Sequence, residues 1–247
     1  VISGKSFVMT TGRALVLFSA GQDSATCLAW ALNRFAQVET IGFDYGQRHA
    51  VELTQRPVVL AGLAALNPAW KERLGADAVA DMRGFGALAH SALTAGGDLS
   101  ALKRGLPASF VPGRNLAFLT YAAAHAWLRD IDVLVTGVCE TDYSGYPDCR
   151  QETISAMAEA LRLGLERPIA VETPLMRLSK AQTWALAEAE GGAALVDLIR
   201  RETHTCYAGV RDRLHPWGFG CGECPACQLR RAGWEAYSAS TGEGASA

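Results

Sequence analysis

Six consecutive residues, SAGQDS at 19–24, combine small side chains, two hydroxyls and one carboxylate between an apolar run and an amphipathic stretch. A tight turn entering a helix leaves backbone N–H groups unpaired at the positive end of the helix dipole, which makes an anion site. Ser19 and Ser24 add hydroxyl donors. Asp23 would repel a bare phosphate, so it fits either as a ligand of Mg²⁺ travelling with a nucleotide or as the cap of the helix. An ordinary capped turn is the plainer reading, and these six residues alone do not choose between them. A second group lies near the other end of the chain. Of seven cysteines, Cys206 precedes Cys221 by fifteen positions, and Cys224 and Cys227 follow at two successive C-x-x-C spacings. Four thiolates with no open position form the pattern of a structural Zn²⁺ site, one per chain. An iron–sulfur cluster uses the same four residues, whereas a catalytic disulfide would not need the fourth. His204 and His215 lie nearby but are surplus to a four-sulfur set, and Cys27, Cys139 and Cys149 read as small buried residues.

The elements that must position these groups can be read from periodicity. Residues 14–18 (ALVLF), 38–43 and 132–138 (DVLVTGV) are strand candidates, with 76–82 a weaker one. Helical spacing marks 24–35, 47–66 with a break expected at Pro57, 116–128, 154–165 and 179–190, the last capped by Ser179. Strand and helix in alternation predict a doubly wound parallel sheet, in which ligands bind beyond the carboxyl ends of the strands. The polar clusters at 19–24, 44–47 and 140–148 fall at those ends. The alternation stops after Gly191, which predicts a nucleotide-binding domain over 9–195 and a four-cysteine appendage over 196–235. Met9 reads as a natural start with 1–8 an upstream extension, and 238–247, small and polar, is expected to fray.

The chain has 247 residues, a formal net charge of −2 and 49% hydrophobic residues. That composition excludes disorder for most of its length, and no basic excess exists to coat a nucleic-acid backbone. The longest apolar-looking stretch, 116–128, contains Thr120 and His125 and falls short of the roughly 18 residues a membrane helix needs. No secretory leader is visible, so a reduced, cytoplasmic location is expected, with no membrane and no direct nucleic-acid partner.

The loop at 19–24 resembles the S-G-G-x-D-S pyrophosphatase loop (PP-loop) of ATP-dependent adenylating enzymes, with Ala20 where that superfamily usually has Gly. If Ala20 must adopt positive φ, its methyl costs about 1 kcal/mol or more. TPLMRLSKAQTW at 173–184 resembles the superfamily's later lysine motif. FDYGQRH (43–49), FVPGRN (110–115), TGVCETDYSGYPDCR (136–150) and ETPLM (172–176) resemble, with the cysteine cluster, the 7-cyano-7-deazaguanine synthase family of queuosine-precursor biosynthesis. The resemblance implies a Rossmann-like fold of the adenine nucleotide alpha hydrolase type, ATP with Mg²⁺ as co-substrate, free ammonia as nitrogen source, and a homodimer. It implies that Leu17, Phe18, Ser19, Ala20, Gly21, Gln22, Asp23 and Ser24 hold the nucleotide, that Asp23 helps position metal, and that Lys180 neutralises leaving pyrophosphate. Arg114, after a Pro-Gly turn, is expected to meet a substrate carboxylate or a phosphate, with Arg48 and His49 weaker candidates. A deazaguanine offers two N–H donors on one edge, which one carboxylate can accept together. Glu140 and Asp142 are the candidates for it, with Tyr143 (or Tyr146 or Phe43) to stack on the ring. The implied reaction adenylates 7-carboxy-7-deazaguanine, lets ammonia displace AMP to give the amide, and activates that amide again for loss of water to the nitrile. A sulfur transferase that adenylates a tRNA base would share the loop and could use the cysteines, but the balanced charge weighs against it.

Overall fold

Ala14, Leu15 and Val16 are fully buried in succession, as a strand covered on both faces requires. The computed structural model describes residues 10–89, 91–99, 102–140 and 145–242. In chain order these form β1 (Thr10–Leu17), α1 (Gln22–Leu32), β2 (Phe35–Asp44), α2 (Val51–Leu66), α3 (Pro68–Arg73), β3 (Leu74–Asp81) and α4 (Arg83–Leu88). A short hairpin, β4 (Leu102–Lys103) and β5 (Leu106–Pro107), leads to α5 (Arg114–Leu128) and β6 (Val133–Val135). After a 3₁₀ turn at Pro147–Cys149 come α6 (Gln151–Leu165), β7 (Ala170–Glu172), α7 (Lys180–Glu202), the hairpin β8 (Leu214–His215) and β9 (Gly218–Phe219), and α8 (Pro225–Thr241).

The main sheet has the order β3-β2-β1-β6-β7, and every pairing in it is parallel. Alternate residues of β1 serve opposite cores. Ala14 and Val16 pack with α1, α2 and α7 through Leu28, Leu63 and Trp184. Leu15 packs with α5 and α6 through Leu119 and Ile154. The chain moves outward from β1 to β3 and then returns to the other side of β1 at β6. The strand order therefore reverses between β1 and β6, and a crevice opens there at the carboxyl ends.

Several boundaries differ from the sequence reading for local physical reasons. β6 stops at Val135, three residues early: Thr136 N makes a last bond to Glu172 O (3.0 Å), and the residues that follow line the crevice. α2 starts at Val51 rather than at 47, because the Gln47 amide folds back onto Tyr45 N and Phe43 O. Pro57 lies inside α2 without ending it. Helical geometry breaks at Gly192 (φ 68°), close to the expected end at 190, and a second helical stretch then runs on to Glu202, the two together making up α7. The stretch after the kink carries Leu195 into the main core together with Val196 and Ile199, the last two beyond the expected domain boundary at 195/196. α8 reaches Thr241, so 238–241 is helical rather than frayed: Tyr237 is buried in the same core and its carbonyl accepts from the Ser240 hydroxyl. Residues 1–8 and 243–247 lie outside the described residues. Among the described residues no helix is long and apolar enough to cross a membrane.

Candidate functional site

The 19–24 turn sits in the crevice. Ser24 Oγ accepts from Ser19 N (3.2 Å) and donates to Gly21 O (3.2 Å), while Ser19 Oγ accepts from Gly21 N (3.2 Å). Gly21 is the N-cap of α1 and makes no side-chain cap bond, so Asp23 is not the helix cap. Ala20 has φ 64° and is fully buried, so the left-handed conformation foreseen for this position is present. Magnitudes decide what Ala20→Gly would do. The left-handed strain costs Ala about 1–2 kcal/mol, but glycine loses about 0.8 kcal/mol of methyl burial and about 0.5–1 kcal/mol in chain entropy. The terms nearly cancel, so the expected change in Tm is under about 4 °C in a thermal melt. A larger shift in either direction would contradict this account of the loop.

Lys180, 157 positions later, donates to both oxygens of Asp23 at 3.0 and 2.8 Å. Two elements make that approach possible. The Ser179–Gln182 capping box fixes the first turn of α7, where Lys180 is the first residue. Gly233 on α8 lies so close that a Cβ there would stand 2.6 Å from Lys180 Cγ. Gly137, after β6, leaves room in the same way for Asp23, whose Cβ would be 3.2 Å from a Cβ at 137.

From this loop a cavity of about 280 Å³ extends past the ends of β1, β2 and β6. Its far wall is aromatic: Phe43 stacks on Phe118 at 4.1 Å, with Tyr45, Tyr146 and Tyr207 alongside. Arg114 enters as the first residue of α5, after Gly113 in a left-handed turn (φ 73°). Its guanidinium donates to Tyr45 OH (3.3 Å), and its Nε has no partner among the described residues. The motifs at 110–115 and 136–150 meet here, since Asn115 N donates to Asp148 Oδ2 (3.0 Å).

Glu52 and His49, on and just before the first turn of α2, close one side of the cavity and are both buried. Glu52 Oε1 accepts from Gln47 Nε2 (2.9 Å), and His49 Nε2 stands 3.6 Å from the same oxygen. Burial lifts the Glu52 carboxyl to about 7 and drops His49 to about 3. Because the native carboxyl holds its proton after the unfolded one has released it, the Glu52 term destabilises the fold as pH rises from about 4.5 to 7. Glu52→Gln removes that term. Relative to wild type, the variant is expected to gain about 1.4 kcal/mol per pH unit across that window, near 3 kcal/mol by pH 8. Denaturant melts from pH 4 to 8 measure the difference, and a pH-independent offset would refute it.

The four cysteines converge, with their sulfurs all within 4.8 Å of one another. Cys221 and Cys227 Sγ are 3.8 Å apart, and Cys206 and Cys224 Sγ 4.0 Å. Four sulfurs about 2.3 Å from one tetrahedral metal would stand roughly 3.8 Å apart, so the donor set fits. Backbone N–H groups of Cys221 and Cys224 point at sulfurs (3.4 and 3.2 Å), as thiolates favour. His204 and His215 bond backbone carbonyls of Cys206 and Gly220 instead of joining the cluster. The segment from α7 to Cys206 crosses the phosphate loop, and His204 N donates to Ala20 O at 2.9 Å. Arg230, fully buried on α8, ties this strap down: it donates to Thr205 Oγ1 (2.8 Å), Trp217 O (2.9 Å) and Ile199 O (2.9 Å).

The structure thus brings Leu17, Phe18, Ser19, Gly21, Gln22, Asp23, Ser24, Lys180 and Arg114 to one cavity, with Ala20 buried beneath it. Gln22 is buried, and among the described residues both its amide atoms lack a partner. Glu140 is not in the cavity wall: it is exposed, and its N–H is used by Met176 O (3.0 Å). Asp142 and Tyr143 lie outside the described residues. Sequence reasoning passed over Glu52, Phe118, Tyr207 and Arg230. Glu52 left one trace, a carboxylate three residues after His49 at the ligand edge, but an acidic first turn is ordinary in any helix.

The family described as queuosine biosynthesis protein QueC matches over residues 13–238. A 7-cyano-7-deazaguanine synthase of Caulobacter sp. (strain K31) is 62% identical over 226 residues, 92% of this chain and 90% of that protein. One from Maricaulis maris (strain MCS10) is 61% identical over 224 residues, 91% of this chain and 92% of that protein. Among solved structures, a 4-thiouridine synthetase in complex with RNA and bound ATP superposes with a TM-score of 0.51 at 15% identity. That match covers 92% of this chain but 53% of the other, and it bears on the fold alone.

Proposed function

This chain belongs to the queuosine biosynthesis protein QueC family, and from that premise we propose that it converts 7-carboxy-7-deazaguanine and ammonia to 7-cyano-7-deazaguanine at the expense of ATP. The observation that carries the reading is the juxtaposition of Lys180 and Asp23 where the loop enters the N-terminus of α1, opening into an aromatic cavity with Arg114 in its wall. In this mechanism the loop at 19–24 cradles the β- and γ-phosphates. Asp23, which accepts from Lys180 in the structure, would be a ligand for the Mg²⁺ that accompanies ATP, and Lys180 would neutralise charge on the leaving pyrophosphate. Arg114 orients the substrate carboxylate toward the α-phosphate, and Phe43 with Phe118 flanks the flat ring. Carboxylate attack releases pyrophosphate and leaves an acyl adenylate. Ammonia adds at the acyl carbon, AMP departs, and a proton is lost to give the amide. A second ATP adenylates the amide oxygen with release of pyrophosphate, and AMP then departs with that oxygen as the nitrogen gives up its two protons and the carbon–nitrogen triple bond forms.

Cys206, Cys221, Cys224 and Cys227 would hold one structural Zn²⁺, whose contribution is to clamp the strap over the loop. The two-part division of the chain, read from the end of the strand–helix alternation, a homodimer, which the resemblance implies, and a cytoplasmic location belong to the same proposal. Incubation with the carboxylate, ATP, Mg²⁺ and ammonium, followed by product mass, tests the reaction. Amide and nitrile are expected, and neither appearing from zinc-loaded protein would sink the assignment.

A further inference from the structure

The deazaguanine ring needs an acceptor for the paired N–H donors of its six-membered ring, and Glu140 is not in the cavity wall to supply it. One carboxylate in that wall besides Asp23 is Glu52, nine-tenths buried. Among the described residues its side chain meets Gln47 Nε2 at 2.9 Å and His49 Nε2 at 3.6 Å, both on Oε1. Arg114 lines the same cavity and acts on Glu52 as a neighbouring positive charge, so the cavity wall carries a cation as well as a carboxyl. The proposed substrate has the matching polarity, a carboxylate on its five-membered ring and N–H donors on the far edge of the other. Resting on that reading, we infer that Glu52 accepts the ring N–H and the 2-amino N–H of the deazaguanine and so sets its specificity for a guanine-type edge. Adenine fits this acceptor poorly, because its amino group adjoins a ring nitrogen whose lone pair faces the carboxylate.

The groups facing Glu52 are Gln47 and His49 from its own segment, Arg56 one turn along α2, and Arg114 from α5. None of them donates a paired fork, and the carboxyl rests near 7 in their company. Two incoming N–H donors would stabilise the ionised form, so binding near pH 7 should release a fraction of a proton.

Equilibrium binding to the protein as purified, without turnover, tests this. Wild type should bind 7-carboxy-7-deazaguanine roughly 10- to 100-fold more tightly than the analogue lacking the 2-amino group. E52Q should lose about the same factor on the parent compound, release no proton in calorimetry across buffers, and bind ATP as before. Equal binding of the two compounds by wild type overturns the Glu52 assignment without requiring any variant to fold. So does an E52Q protein that binds the parent within twofold of wild type, or one that loses ATP affinity instead. Absence of any binding of the parent to wild type is a different failure: it overturns the proposed function, and this inference with it.

Discussion

Replacing Lys180 by methionine is expected to lower kcat for the ATP-dependent reaction about 10²- to 10³-fold while leaving the fold in place. That is the usual loss when one preorganised group facing developing charge is removed from a water-poor site. The structure makes the two halves of the expectation separable. Methionine keeps the aliphatic stem that packs beside Gly233, and the capping box of Ser179 and Gln182 does not involve the side chain at 180. The ion pair lost, Lys180 with Asp23 at 2.8 Å, has an Asp23 side chain 32% exposed, so water can replace the ammonium. A partly exposed pair of this kind contributes about 0–1 kcal/mol. Steady-state kinetics beside a thermal melt provide the check. A variant within about fivefold of wild type would remove Lys180 from the leaving-group role, and a collapsed melt would make it structural.

What the sequence made legible, and what it did not, follows chain distance. The phosphate loop is local: strand, turn and helix start lie within residues 14–24, and even the strain at Ala20 could be foreseen from its departure from glycine. The cysteine quartet is nearly local, because two C-x-x-C spacings confine three ligands to one turn. The sheet was legible because strands buried on both faces read as apolar runs. Boundaries were less so where tertiary contact overrode pattern, as in α7, which continues past its kink because Leu195 and Ile199 find the main core. One substrate candidate, Glu140, falls outside the cavity wall for a related reason. Glu140 lies just past a strand at the ligand edge, as sequence reasoning required, yet its backbone pairs with the turn before α7 and its side chain is left outside the cavity. Glu52 reaches that cavity only because the 45–52 turn folds back on the end of β2 through Gln47, a bond no local pattern announces.

Removing the proposed zinc should have the largest effect on stability and should also be felt at the phosphate loop. Cys224→Ser leaves three sulfurs and a poor fourth ligand. Structural zinc sites contribute on the order of 10 kcal/mol to the small folds that depend on them. Here α8 is also held by Trp234 and Tyr237 against Trp184, so only part of that sum is at risk. Losing about 4–5 kcal/mol would lower Tm by roughly 10–20 °C at this chain length. The consequence for ATP follows from connectivity. Cys206 is two residues from His204, whose N–H holds the carbonyl of strained Ala20 at 2.9 Å, and Arg230 fastens Thr205 between them. With the cluster open, that strap is anchored at α7 alone, and the loop loses the bond that offsets its left-handed turn. Metal analysis, a melt and ATP binding on one preparation would follow the chain of cause: about one zinc per chain lost, a lower Tm, and ATP affinity reduced severalfold. Chelator treatment of wild type should reproduce all three, and readdition of zinc should restore them. Iron in place of zinc would refute the metal assignment, and C224S protein that keeps its metal and its Tm would refute the site. Metal lost with ATP affinity unchanged would refute the strap.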